Sequence, residues 1–158
     1  KMNNANGLNV LHSNEMDALW SCITDFGWDN TNLFFTRLRV FIEPTATDNL
    51  INAVMGSDSS INTKPSIVCH PAHGTVIITL NHNHSEDSID QISNRIAQTS
   101  DIVKRLNGKM IVEKAPPEIK SKIDVWGDTP ESISVMHSLK TQYDPKRTLN
   151  PGRYLGGI

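Results

Sequence analysis

Between residues 35 and 114 the hydrophobic residues recur in some segments at every second position and in others at every third or fourth position. The order of strands and helices that this pattern implies is the feature that most constrains the fold. Apolar residues at alternate positions indicate a strand, whereas spacings of three and four indicate an amphipathic helix. The pattern predicts, in chain order, a strand over 35–43, a helix over 47–56, strands over 66–70 and 75–80, a helix from Ser88 to Gly108, and a strand over 109–114.

The longer of the two helices is the best-defined element. Its apolar stripe consists of Ile89, Ile92, Ile96, Val103 and Leu106. The order strand, helix, strand, strand, helix, strand favours an α+β fold, a ferredoxin-like antiparallel sheet (βαββαβ) with both helices on one face. Helices over 14–26 and 129–143 are predicted to flank this core at its N- and C-terminal sides.

Length and charge limit the class of protein. The chain has 158 residues and a formal net charge of -2, so we expect one globular domain without a strong general attraction to nucleic acid. No apolar run approaches the ~18 residues of a transmembrane helix. Cys22 and Cys69 match no metal or redox spacing and are expected to be reduced, buried thiols.

A group of histidines raises the question of a metal site. His70, His73, His82 and His84 fall close together around the predicted hairpin. Zinc needs three or four ligands that converge tetrahedrally, whereas His82 and His84 lie in a polar loop where histidines are commonly solvated. An all-histidine zinc site is therefore the less favoured interpretation, and we assign no metal ligands.

His70 and Glu113 are the candidate catalytic residues. Strand alternation places both on the face of the sheet opposite its apolar core, where they could meet. A histidine beside a carboxylate can transfer protons or hold an ion. A hydrogen-bonded structural histidine and a plain surface salt bridge are the alternatives.

The C-terminal segment carries the most specific motif. A helix runs into Asp144 and Pro145, and Leu149, Asn150, Pro151, Gly152 and Arg153 follow. Pro151 favours an extended backbone at Asn150, Pro151 and Gly152 favour a tight turn, and Arg153 offers a planar fork for phosphate or carboxylate. A docking tail that merely packs against the domain is the alternative.

This tail resembles the C-terminal signature of FAD-linked oxidases of the vanillyl-alcohol oxidase (PCMH) type, in which a helix ends in Asp-Pro before Leu-Asn-Pro-Gly-Arg or Lys. The segments 112–116 and 124–127 and the ending 153–158 are most similar to FAD-binding subunits of the glycolate oxidase (glycolate dehydrogenase) type. The similarity extends from about Glu15 to the last residue.

The resemblance implies a flavin-dependent 2-hydroxyacid oxidoreductase of which this chain supplies the part that covers the FAD. Residues 1–13 would be a disordered or truncated linker and residues 14–158 the C-terminal (cap) domain, with the N-terminal FAD-binding domain absent from this sequence. Asn150 and Arg153 would be cofactor-binding. The fragment alone is expected to be inactive and not to retain FAD.

The resemblance also implies roles for His70 and Glu113, which match two of three positions that bind metal and substrate in related enzymes. The other position is Ile77, which argues against metal binding here. The implied partners are the chain's own FAD-binding domain, a small 2-hydroxy acid, a second flavin subunit and an iron–sulfur subunit, in the cytoplasm or peripherally at the membrane through those subunits.

Two other functions fit the residues. A ferredoxin-like module that binds a small molecule for regulation is consistent with the absence of a complete catalytic set. A metal-dependent enzyme that uses the face of His70 and Glu113, with His73, is the second.

Overall fold

The computed structural model describes residues 12–26, 35–56, 64–82 and 85–158. The chain separates into two compact units, residues 1–31 and 32–158. In the first unit the described element is helix α1, Ser13–Thr24. The backbone N–H of His12 donates to the carboxylate of Glu15 at 3.0 Å, so the residue before Ser13 caps the predicted helix. The sequence indicates that Gly27 ends this helix, and Gly27 lies outside the described residues.

The second unit is built on a four-stranded antiparallel sheet. In chain order its elements are β1 (Phe35–Phe41), α2 (Thr47–Gly56), β2 (Ser66–His70), β3 (Thr75–Asn81), α3 (Glu86–Arg105), β4 (Lys109–Lys114), α4 (Pro117–Lys120) and α5 (Ile133–Tyr143). The strands lie in the order β2-β3-β1-β4, and each neighbouring pair is antiparallel. The expected α+β fold, with an antiparallel sheet and flanking helices, is confirmed.

Strand alternation determines which side chains form the core. The buried apolar cluster combines alternate residues of the sheet with one stripe from α2 and one from α3, so both helices cover the same face. Its members from these elements are Leu38, Val40, Val76, Ile78, Leu80 and Val112 of the sheet, Leu50 and Val54 of α2, and Ile92, Ile96 and Val103 of α3. Full burial of one such side chain contributes roughly 1.5–3 kcal/mol.

Helix α3 has well-formed caps at both ends. The hydroxyl of Ser85 accepts the backbone N–H of Ser88 at 3.2 Å, so the helix begins one turn before the predicted cap at Ser88. At the other end Asn107 has a φ of 54°, and the N–H of Gly108 donates to the carbonyl of Val103 at 2.9 Å, which is a Schellman motif at the predicted end of the helix. Within the described ranges, none of the helices combines the length and apolarity that crossing a membrane requires.

The hairpin between β2 and β3 depends on a glycine. A 3₁₀ turn over Pro71–His73 ends at Gly74, whose φ of 60° is left-handed. The backbone N–H of Ile42 donates to the carbonyl of Gly74 at 2.8 Å, and a Cβ on Gly74 would lie only 1.7 Å from the carbonyl oxygen of Ile42. The predicted hairpin is confirmed, and its turn tolerates no side chain at this position.

Helix α5 begins later than the sequence predicts. The backbone N–H of Ile133 donates to the carbonyl of Pro130 at 3.1 Å, which makes residues 130–133 a separate turn before the helix. The predicted start at Thr129 is therefore wrong by four residues. The predicted end is confirmed, since the helix stops at Tyr143, two residues before Pro145.

Candidate functional site

The sheet face turned away from α2 and α3 carries a charged group, which we call the arginine–glutamate cluster: Arg37, Arg39 and Glu113. The Glu113 carboxylate oxygens lie 2.7 Å from Nε of Arg37 and 2.6 Å from Nε of Arg39. These are ion-pair distances, although the two Nε–H groups are not aligned for hydrogen bonds. The side chain of Arg37 is 3% exposed and that of Arg39 is 35% exposed. The cluster thus combines two guanidinium groups with one carboxylate.

A β-bulge in β4 aims Glu113 at this cluster. Leu38 pairs with Val112 and Arg37 pairs with Lys114, so Glu113 is an extra residue on β4. A bulge redirects the side chains around it. Lys114 therefore shares the face of Arg37, and its Nζ lies 3.9 Å from the centre of the Phe35 ring, a cation–π contact.

The structure does not bring His70 and Glu113 together. Both are on the predicted face, since Val68 and His70 of β2 alternate with core-packed Ile67 and Cys69. However, His70 lies on one edge strand and Glu113 on the other, with β3 and β1 between them. Three strand spacings separate them by at least about 14 Å. The prediction that the two side chains meet is therefore wrong. Two side chains on the same face of a sheet are close only if their strands are also neighbours.

The other histidines that were considered as metal ligands do not converge either. His73 lies in the 3₁₀ turn, and His82 is half-buried with its Nε2 3.3 Å from the hydroxyl of Thr36. His84 lies outside the described residues. Among residues 12–26, 35–56, 64–82 and 85–158, no three His, Cys, Asp or Glu side chains are grouped so that they could hold a metal ion.

The two cysteines differ in environment. Cys22, on α1, is exposed, which corrects the expectation that both thiols are buried. Cys69, on β2, is half-buried, and this burial together with the negative charge of Asp48 raises the pKa of its thiol.

The C-terminal segment folds back onto the end of α5 around one carboxylate. Asp144 is 5% exposed. Its Oδ1 accepts the backbone N–H of Thr148 at 2.9 Å, and its Oδ2 accepts that of Leu149 at 3.0 Å and lies 2.8 Å from Nζ of Lys140. Lys140, followed by these two N–H groups, holds the pKa of Asp144 well below its usual range. Lys140 also donates to the carbonyl of Leu149 at 2.6 Å, so both ends of this loop are fixed.

The Asn150–Arg153 segment forms the predicted turn, with one correction. The backbone N–H of Arg153 donates to the carbonyl of Asn150 at 3.3 Å, and Gly152 has a φ of 69°, which fits a type II turn with Pro151 at its second position. Asn150 has a φ of 43° and is therefore not extended. Asparagine is among the residues that tolerate the left-handed region, which here outweighs the preference imposed by the following proline.

An aromatic pair fixes the chain just beyond this turn. The indole N–H of Trp126 donates to the carbonyl of Arg153 at 3.4 Å, and the rings of Trp126 and Tyr154 meet edge to face with centroids 5.1 Å apart. The side chains of Asn150 and Arg153 remain exposed and make no polar contact within the described chain. The tail therefore presents both predicted cofactor-binding side chains from a backbone that is held on two sides.

Two features of this arrangement were not predicted from the sequence. Alternation along β1 puts Arg37 and Arg39 on the outer face, but their pairing with Glu113 was not predicted, although all three residues occupy the same alternation phase. The role of Asp144 was also missed, although an aspartate at the end of a helix commonly binds nearby backbone N–H groups.

Comparison of the chain with protein-family models, with curated proteins and with solved structures finds no match.

Proposed function

We propose that this chain is the C-terminal (cap) domain of an FAD-linked 2-hydroxyacid oxidoreductase of the glycolate oxidase type. The observation that carries the proposal is the tail, in which Asn150 and Arg153 are exposed on a turn held by Asp144 and Trp126. Exposed polar side chains on a fixed backbone are suited to contact another domain or its ligand, because the backbone loses little conformational entropy when they bind.

The architecture supports the same proposal. The element order and the strand order β2-β3-β1-β4, with α2 and α3 on one face, support a ferredoxin-like sheet. In the proposed assignment this sheet is the scaffold and the tail is the contact surface. Fold alone does not determine function, so the tail carries more weight.

This chain would hold only one side of the flavin. A pocket beside the tail has a volume of about 80 Å³, well below the ~300 Å³ of ordinary ligand pockets, so it cannot enclose a dinucleotide. Asn150 and Arg153 would contact FAD that another domain holds. When bound, the flavin accepts a hydride from the α-carbon of the substrate.

The arginine–glutamate cluster suits the carboxylate of a 2-hydroxy acid. It presents two guanidinium groups, and the side chain of Arg39 is the more accessible of the two. Glu113 organises the two arginines in this assignment. A small 2-hydroxy acid is much shorter than the distance from Glu113 to His70, so one molecule cannot touch both, and a role for His70 as a base would require a different substrate position.

The full-length gene product tests the proposal. We expect the purified protein to show the visible absorbance of a flavin and to reduce an artificial electron acceptor when supplied with glycolate. Arg153→Ala should lower the flavin-to-protein ratio, because it removes a charge-assisted contact worth ~1.5–3 kcal/mol. Lys146→Ala, which removes an exposed positive charge from the same loop, is the matched control.

A full-length protein without flavin, reconstituted or not, would exclude the proposal. A flavoprotein in which Arg153→Ala and Lys146→Ala retain flavin equally would exclude the role of the tail. For substrate binding, Arg39→Gln should raise the KM for glycolate by ~10-fold or more while kcat changes less.

A further inference from the structure

The pocket beside the tail lies between α5 and the loop that follows it. Its volume is about 80 Å³, room for several water molecules or one small anion. The residues that line it are His137, Lys140, Thr141 and Arg147 and, from the end of the segment, Pro151, Gly152, Gly157 and Ile158. Basic groups line the pocket, and no acidic side chain does.

The hydrogen-bond donors at this pocket are only partly used. Lys140 directs its ammonium to Asp144 and to the carbonyl of Leu149, which leaves one N–H of three. The guanidinium of Arg147 makes no hydrogen bond or ion pair within the described part of the chain, so its five N–H donors remain available. Because Lys140 is paired with Asp144, the unpaired cation among the lining side chains is Arg147.

The backbone conformation of Arg147 also indicates a role for its side chain. Its φ is 49°, in the left-handed region. Arginine has no local hydrogen bond that favours this conformation, unlike asparagine, and glycine would adopt it without strain. A strained position that nevertheless carries a long, unpaired cation at the edge of a pocket suggests that the cation has a ligand.

We propose that this pocket binds a phosphate group, either free phosphate or the phosphate of a larger ligand. The lining residues that carry N–H donors are His137 and Lys140 on α5 and Arg147 on the loop. Donors on several sides suit the tetrahedral oxygens of phosphate better than the two oxygens of a carboxylate. The proposal stands on these residues and does not require that the chain belong to a flavoenzyme.

The test follows the backbone amide signals of Gly152 and Gly157 by NMR while inorganic phosphate replaces chloride at constant ionic strength. We expect saturable shifts in the unaltered chain. Arg147→Gly should weaken the apparent affinity by ~10-fold or more, because it removes charge-assisted hydrogen bonds. The same change relieves the left-handed strain and should raise Tm by about 2 to 4 °C, which separates lost binding from lost folding.

The matched control is Lys146→Ala, which removes a charge next to Arg147 but outside the pocket lining and should leave the affinity within ~2-fold. Shifts that do not saturate, or that are equal in Arg147→Gly, would overturn the proposal. Acetate that binds as tightly as phosphate would overturn the choice of phosphate. Titration with ADP identifies the source: tighter binding than inorganic phosphate, with the same two amides shifted, assigns the phosphate to a larger ligand, and equal or weaker binding assigns it to free phosphate.

Discussion

The carboxylate of Asp144 and the ammonium of Lys140 lie 2.8 Å apart on one side of the end of α5, and both also bind the loop that follows. Asp144 accepts the backbone N–H groups of Thr148 and Leu149, while Lys140 donates to the carbonyl of Leu149. One ion pair thus fixes the backbone of the segment that carries Asn150. The position of the candidate cofactor-binding residues depends on these two side chains.

The ion pair should make the tail sensitive to acid. Because the folded pKa of Asp144 is lowered, its contribution to stability is present above the unfolded pKa and is lost as the pH falls toward the folded pKa. We expect the amide signals of Thr148 and Leu149 to titrate with a midpoint well below the ordinary aspartate value of about 3.9. In Asp144→Asn this transition should be absent. A midpoint near the ordinary value in the unaltered chain would contradict the lowered pKa.

Two glycines with similar backbone angles should differ in their tolerance of alanine. Gly74 and Gly152 have φ values of 60° and 69°, but a Cβ on Gly74 would strike the carbonyl of Ile42, whereas Gly152 has nothing within 4 Å. Gly152→Ala should cost about 1–2 kcal/mol of backbone strain. Gly74→Ala should cost about 4 kcal/mol or more, because the hairpin must also move. Denaturant unfolding measures both, and equal losses would show that the clash is relieved cheaply.

Removal of the charge on Glu113 should be strongly destabilising. Glu113→Gln takes the carboxylate away from buried Arg37 and from Arg39, and breaking a buried pair of this kind costs about 3 kcal/mol. Glu118→Gln, at an exposed position on α4, should change the free energy of unfolding by no more than ~0.5 kcal/mol. Similar small losses for the two variants would mean that the cluster contributes little to stability.

The cysteines should react with a thiol reagent at different rates. Cys22 is exposed, whereas burial and Asp48 raise the pKa of Cys69 and reduce its thiolate fraction. At pH 8 we expect the single-cysteine chain made by Cys69→Ser to react about tenfold faster than the one made by Cys22→Ser. Equal rates with a colorimetric disulfide reagent would show that Cys69 is as accessible as Cys22.

The pattern of the sequence predicted the elements well because their causes are local. The stripe of α3 and the alternation in the strands depend only on residues near in sequence, and Asn107 with Gly108 ended α3 as predicted. The starts of α3 and α5 were predicted less accurately. Ser85 and Ser88 are both competent caps, and only the three-dimensional geometry of the loop decides between them.

The candidate site was predicted only in part, because it depends on which strands are neighbours. Alternation placed His70 and Glu113 on one face correctly, but a face extends across four strands, and these two residues occupy its opposite edges. The pairing of Glu113 with Arg37 arises from the contact between β1 and β4, which are far apart in sequence. The left-handed backbone of Asn150 likewise reflects the bonds that hold its loop, which a dipeptide preference cannot include.

The extra residue at Glu113 also affects how β4 can change in length. Val112 and Lys114 already pair with the neighbouring residues Leu38 and Arg37, so deletion of Glu113 would give β4 a regular ladder with β1 and leave the facing of the residues beyond it unchanged. Ala115, which is buried just after β4, would therefore stay in the core. Loss of this residue should cost little more than its substitution, because the sheet loses a carboxylate and keeps its order.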